Sequence, residues 1–208
     1  TWDGCGGRHV GSGMIPSDGD GAAESWSSFG PTAKMRLAKT ELRYGTLLPK
    51  LPILISNDAR VLPQSFTGTQ ITSKDIEGLT LPSGLLEHAV GRASTDRSGL
   101  SVAGGTQDSN KFYFAGGDYE VTKAMKAQYY FAQLEDFYNQ NFLGLTHILP
   151  IDGGSTITTD LRYFRTTSSG ANSTAAGRAQ GYRVSGYTED NNGEIDNSTC
   201  AAMITYAN

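Results

Sequence analysis

The dominant regularity in this chain is a period of two. Apolar residues alternate with polar ones in runs separated by clusters of Gly, Asp, Asn and Ser. From Thr32 to Ala38, Ala33, Met35 and Leu37 share one face, and Lys34 and Arg36 take the other. From Lys39 to Gly45 the phase shifts by one, so that Leu42 and Tyr44 stand opposite Glu41 and Arg43. A phase flip with neither Gly nor Pro between the runs predicts a very tight turn joining paired strands. Ile157, Leu161 and Tyr163 alternate in the same way with Thr158, Asp160 and Arg162, and Lys126, Gln128 and Tyr130 with Ala127, Tyr129 and Phe131. Few windows carry apolar residues at helical spacing, so the expected class is all-β and antiparallel.

Strands are predicted near 32–38, 39–46, 68–76, 79–88, 111–122, 125–134, 142–150, 156–166 and 196–207. Short connections fall near 38–39, 77–78, 123–124 and 151–155; long ones cover 47–67, 89–110 and 167–195, and 135–141 is moderately long. A soluble β-sandwich keeps most connections short. Strict alternation of short turns and long loops suits a transmembrane β-barrel, with turns on one rim and loops on the other. Face patterning alone leaves both open, because the apolar face packs inside in a soluble sheet and meets lipid in a membrane barrel. Tyr44, Tyr119, Tyr163 and Tyr206, read as lying at strand ends, favour the barrel, since such residues form interfacial girdles. Tyr is also simply a good strand former.

Composition narrows the function. Gly supplies 26 of 208 residues, only 18% are charged, and the net charge is −4. An aromatic content of 10%, half of it Tyr, excludes the disordered class. A mildly acidic balance with no basic block argues against nucleic-acid binding. No stretch reaches the ~18 consecutive apolar residues of a transmembrane helix. Cys5 and Cys200 lie too far apart for metal spacing and are too few for a disulfide framework, although one bridge between them is conceivable. The chain opens on Thr1 without a signal peptide and ends in Met203-Ile204-Thr205-Tyr206-Ala207-Asn208, which reads as a strand cut off. An internal piece of a longer barrel is therefore expected.

A series of motifs carries a resemblance. Lys39-Thr40-Glu41-Leu42-Arg43-Tyr44-Gly45 leads into Leu48-Pro49-Lys50-Leu51-Pro52, then Ala59-Arg60-Val61-Leu62-Pro63-Gln64. Next comes Gly68-Thr69-Gln70-Ile71-Thr72-Ser73-Lys74-Asp75-Ile76-Glu77-Gly78-Leu79. Downstream stand Ala115-Gly116-Gly117-Asp118-Tyr119, Gln133-Leu134-Glu135-Asp136-Phe137-Tyr138, Phe142-Leu143-Gly144-Leu145 and Asp160-Leu161-Arg162-Tyr163-Phe164. From about Met14 onward the sequence resembles the OprD family of substrate-specific outer-membrane porins of Gram-negative bacteria. The resemblance implies a monomeric barrel of about eighteen strands around an aqueous channel, of which this chain would supply about nine. It implies passive uptake of small carboxylate-bearing solutes, contact with outer-membrane lipid and lipopolysaccharide, no cofactor and no catalysis.

A carboxylate-selective pore needs fixed cations on its wall. Arg offers planar bidentate donors and keeps its charge, and a row of such groups lets a carboxylate exchange one partner for the next. By resemblance, 47–67 is the inward-folded third loop, and Arg60 matches a position of the family's basic ladder. The run Leu51-Pro52-Ile53-Leu54-Ile55 is too apolar to face bulk water, which independently suggests inward folding. The loop at 89–110 resembles the second constriction loop, with Arg92 as a candidate rung; Ser101-Val102-Ala103-Gly104 stands there where some relatives carry Tyr. Lys34, Arg36, Arg43 and Arg162 fall on the lumenal side of the alternation, beside Glu41 and Asp160. Mutual pairing of these wall charges is the plainer reading of all four. Asp136 is read as holding a short loop in place. The wording around Arg60 leans toward cyclic or aromatic carboxylates over basic amino acids.

Other constellations are weak. His9, His88 and His147 lack metal spacing, and no Gly-x-Ser-x-Gly elbow occurs. The run from Asp190 to Asp196 resembles a calcium loop with its Gly misplaced, and the Asn172 and Asn197 glycosylation sequons would be idle in a bacterial outer membrane. Rival readings are a soluble secreted β-sandwich binding module and a plugged structural barrel.

Overall fold

The computed structural model describes residues 17–18, 21–22, 29–58, 63–91, 96–151, 154–185 and 192–207. Nine long strands follow one another: β1 (Thr32–Leu37), β2 (Thr40–Leu47), β3 (Ser65–Ser73), β4 (Leu79–Val90), β5 (Phe112–Thr122), β6 (Met125–Leu134), β7 (Tyr138–Pro150), β8 (Thr156–Ser168) and β9 (Asp196–Ala207). Each pairs antiparallel with its sequence neighbours, so the sheet is a meander. The two-residue strand Arg97–Ser98 adds to β4, and the path ends at β1 and β9, which are not paired with each other.

The phase flip between β1 and β2 is a two-residue turn. Leu37 pairs with Thr40, leaving Ala38 and Lys39 between them, and Ala38 takes φ 53°. Hairpin turns that match strand twist demand such a positive φ, which is costly outside Gly. The other short connections, from Ser73 to Leu79, from Thr122 to Met125 and from Pro150 to Thr156, leave the strands on the same rim. The long connections leave the strands at the opposite rim, between Leu47 and Ser65, between Val90 and Phe112, and between Ser168 and Asp196.

One connection differs from expectation. Residues 135–141 do not form a moderately long loop; β7 starts at Tyr138 and only three residues separate it from β6. The polar run Asn139-Gln140-Asn141 belongs to the strand, beyond the end of its apolar band. Asp136 makes the tight link, with φ 66°.

Register sorts the side chains into two faces. Tyr130, Phe142 and Phe164 stand in one line on the concave, lumenal face, and Tyr129, Leu143, Tyr163 and Cys200 in a line on the outer face. The outer face is apolar yet uncovered: Met35 is 63% exposed and Ile204 73%. Tyr44, Tyr119, Tyr163 and Tyr206 all face outward, but Tyr163 sits mid-strand rather than at a rim. An exposed apolar sheet face of this extent requires a partner, and lipid is the partner a barrel wall has.

The packed core lies on the lumenal face toward the loop rim. Leu47, Phe66, Leu86, Phe112, Phe114, Tyr130 and Phe142 come from strands, while Leu51, Leu100 and Ile195 come from the three loops. Lumenal glycines make room for lumenal rings. Gly84 lies opposite Phe114, and a Cβ there would stand 2.7 Å from Phe114 Cζ. Pairing of β4 with β5 is interrupted between Ser83↔Ala115 and Thr80↔Asp118, where Pro82 offers no N–H.

Candidate pore-lining site

Lys34 and Arg36 on β1 and Glu41 and Arg43 on β2 share the lumenal face, with Lys34 opposite Arg43 and Arg36 opposite Glu41. Arg36 Nη2 lies 3.2 Å from Glu41 Oε2, and Arg43 Nε donates to Glu41 Oε1. Three cations thus surround one carboxylate. Next to them on β3, Gln70 and Thr72 stand opposite Arg43 and Glu41.

On β8, Arg162 binds Asp160 through both forks, Nε to Oδ1 at 2.9 Å and Nη2 to Oδ2 at 2.8 Å. Between these groups, Lys126 Nζ lies 3.7 Å from Asp118 on the wall of β5 and β6. The expected mutual pairing is therefore present for Arg36, Arg43 and Arg162. Such solvent-facing pairs contribute at most ~1 kcal/mol each, so their consequence is orientation more than stability. Exposure decides what a solute would meet. The Glu41 and Asp160 side chains are each 19% exposed, against 72% for Arg36 and 50% for Arg162. The carboxylates lie flush with the wall and the guanidiniums project from it, keeping spare N–H donors.

Arg60 and Arg92 lie outside the described residues. Leu51 is buried and Ile53 and Leu54 pack on the lumenal core. The Gln64 amide donates to the Asn57 carbonyl at 2.7 Å, joining the chain on either side of 59–62. In the second loop Leu100 and Ser109 exchange backbone hydrogen bonds at 2.7 and 2.8 Å, and Leu100 is buried. A cavity of about 350 Å³ opens between the two loops and the wall, lined by Leu54, Phe66, Leu86 and Phe112 together with the polar Gln64, Ser98 and Ser101.

The loop at 169–195 was not legible as a structural unit. It holds a 3₁₀ turn (Gly170–Ser173) and α1 (Ala175–Ala179), whose N-cap Thr174 accepts from the Gly177 amide. Asn172 is fully buried: its Nδ2 donates to the Tyr182 and Gly193 carbonyls at 2.8 and 2.9 Å, and its Oδ1 accepts from the Ile195 amide. Arg178 bonds the Asn172 carbonyl and the Glu194 carboxylate. Asp136 accepts from the Ala171 amide, and its carbonyl from the Asn172 amide. The Thr106 and Ser185 amides donate to the Gly181 and Ala103 carbonyls, lacing the connection that follows β4 to the one that follows β8. The sequon beginning at Asn172 was the visible signal, and it pointed to the wrong chemistry.

Among the described residues no group of His, Cys, Asp or Glu is arranged to hold a metal ion, and no helix is long and apolar enough to cross a membrane. Asp190 and Asn191 of the calcium-like run, and Cys5, lie outside the described residues.

A family model described as outer membrane porin, OprD family, matches residues 2–208. Porin D of Pseudomonas aeruginosa is 31% identical over 165 residues, 77% of this chain and 37% of that protein. The porin-like protein GalP of Pseudomonas putida is 35% identical over 160 residues, 74% of this chain and 38% of its own length. Among solved structures, Pseudomonas aeruginosa OccK8 (OprE) superposes with a TM-score of 0.89 at 45% identity, covering 94% of this chain and 51% of that one. Pseudomonas aeruginosa OpdK with vanillate gives 0.81 at 30% identity (96% and 49%), and OccK2 (OpdF) in complex with glucuronate gives 0.73 at 31% (86% and 44%). The chain spans less than two fifths of those curated relatives and about half of those solved chains.

Proposed function

Because the chain belongs to the OprD family of outer-membrane porins, we propose that its nine strands form about half of a closed barrel that passes small carboxylates. Relatives about twice as long support the half-barrel reading, as does the outward apolar face. Porins are channels, so the wall residues have a transport role and no catalytic one.

The observation that carries the solute class is the cluster on β1 and β2, where Lys34, Arg36 and Arg43 outnumber Glu41. A carboxylate passing that wall meets projecting guanidiniums already oriented by a recessed acid. It takes a bidentate pair of N–H donors from one and transfers to the next, with Arg162 as a further rung on β8. Arg60 and Arg92 are assigned to the same row at the constriction, on the inward-folded loops 47–67 and 89–110. Low-dielectric walls around these charges raise the local concentration of anionic solute.

The cavity between the two loops sets the apolar side chains of Leu54, Phe66, Leu86 and Phe112 beside polar groups of Gln64, Ser98 and Ser101, a mixed lining that suits a solute with a ring and polar substituents. Vanillate and glucuronate, named with two of the similar structures, are a ring carboxylate and a cyclic one. The test is single-channel recording from the full-length porin in a planar bilayer. Benzoate is expected to block discrete steps, and the double variant Arg36→Ala/Arg43→Ala to relieve the block at least tenfold. Block by arginine but not benzoate would overturn the solute class. Absence of steps from heat-modifiable, folded protein would favour a plugged barrel.

A further inference from the structure

One side of the cavity between the loops is walled by residues 98–102. The wall of the barrel reaches this stretch at Arg97 and Ser98, which pair with β4. Immediately after it, the connection that follows β8 adds three bonds. The Thr106 amide donates to the Gly181 carbonyl at 3.1 Å, the Ser185 amide to the Ala103 carbonyl at 2.8 Å, and Gln107 Nε2 to the Gln180 carbonyl at 3.1 Å. Two glycines allow this closeness. Gly104 takes φ +86°, and a Cβ there would collide with Ser185 Cβ; Gly181 takes φ +108°, and a Cβ there would collide with Thr106 Oγ1. Each segment thus has a glycine where the other presses on it, in a positive-φ conformation that other residues rarely adopt.

The segment 181–185 turns its remaining polar groups the other way. The Tyr182 carbonyl accepts from Asn172 Nδ2 at 2.8 Å, and the Val184 amide donates to the Gly193 carbonyl at 3.0 Å. The Tyr182 ring lies 5.4 Å from that of Phe137, in the tight link between β6 and β7. Tyr182, Val184 and Val102 all pack on the lumenal core. The segment therefore bridges from the core to the back of the cavity stretch without lining the cavity itself. Long connections lacking such ties move on nanosecond to microsecond scales, and a moving wall has no fixed opening.

We propose that 181–185 positions the constriction from behind: it holds 98–102 in place and so sets the width of the opening, with Gly104 and Gly181 as the positioning residues. This rests on the reading that the cavity belongs to the narrow part of the pore, and not on which solute crosses it. The test is hydrogen exchange and single-channel conductance in potassium chloride. It uses the full-length porin carrying Thr106→Cys/Gly181→Cys on a Cys5→Ser/Cys200→Ser background. The Cβ positions at 106 and 181 lie 3.3 Å apart, near the ~3.8 Å of a disulfide. Reduced, the added side chain at 181 wedges the two segments apart; oxidised, the bond rejoins them under the same backbone strain. The Leu100 and Ser109 amides are expected to exchange at least tenfold faster in the reduced form than in the wild type, and the conductance to break into substates. Oxidation is expected to reverse both. Gly154→Ala, with φ +88° and open space around its Cβ position, is expected to change neither. Unchanged exchange in the reduced form would overturn the hold on 98–102, and faster exchange at unchanged conductance would overturn its control of the opening. Ser101→Trp, which fills the cavity from the same stretch, separates these from failure of the constriction reading. Conductance unchanged by that variant would overturn both.

Discussion

Asn172 and Ile195, 23 residues apart, are joined by a hydrogen bond from the Ile195 amide to the Asn172 side-chain oxygen at 2.8 Å. The Asn172 Nδ2 donates to the Tyr182 and Gly193 carbonyls, so one buried side chain closes a long loop upon itself. Asn172→Ala would take away the partner of the Tyr182 carbonyl and of the Ile195 amide, at about 1–3 kcal/mol for each group that water cannot reach, while the Gly193 carbonyl keeps the Val184 amide at 3.0 Å. We expect rapid proteolysis within 169–195 and noisier open channels, while the barrel stays heat-modifiable. A loop as resistant to protease as the wild type would contradict this role.

The Arg162 guanidinium is held by Asp160 through two hydrogen bonds. Asp160→Asn would free its donors while changing stability by less than about 1 kcal/mol, as for other exposed pairs. Benzoate block is expected to tighten several-fold in this variant and to weaken in Arg162→Leu. Equal block in both variants would remove Arg162 from the row.

Asp75 ties two turns at the short rim. It accepts from the Thr40 hydroxyl at 2.6 Å, the Ser73 hydroxyl at 2.9 Å and the Lys39 amide at 3.1 Å. These bonds, led by that of Thr40, hold its carboxyl below the usual carboxylate range. A lowered pKa in the folded state means that the tie contributes fully above the unfolded value of about 3.9 and is lost as pH falls through the lower folded value. Hydrogen exchange at the Lys39 and Lys74 amides should therefore accelerate below about pH 4. Asp75→Asn should remove that dependence; an identical acid response in the variant would assign it elsewhere.

Gly84 lies beneath the Phe114 ring and close to the Thr69 carbonyl. Gly84→Ala must displace one of them, and overpacking of this kind costs about 1–3 kcal/mol. A lower temperature for loss of heat-modifiable mobility is the expected reading. Gly154, with open space around its Cβ position, is the comparison, although its φ of +88° adds a local strain there.

The wall was largely legible in the sequence because alternation encodes it directly. The flip between Leu37 and Thr40 gave the first hairpin, and Lys34, Arg36, Glu41 and Arg43 could be assigned to one face before any register was known. Asn139 and Asn141 were misread as loop because their strand extends past the apolar band, where polarity no longer distinguishes sheet from connection. The closure made by Asn172 was hidden for another reason. Its partners lie 10 to 23 residues away and are all backbone groups, so no side-chain pattern announces them.

The most direct test of the account is uptake of labelled benzoate and labelled arginine into proteoliposomes holding the full-length porin, alongside the Arg60→Ala variant. Benzoate should equilibrate faster than arginine, and the variant should slow benzoate while leaving arginine unchanged. Faster entry of arginine, or benzoate entry indifferent to Arg60, would contradict the assignment of this wall and its loops to carboxylate passage.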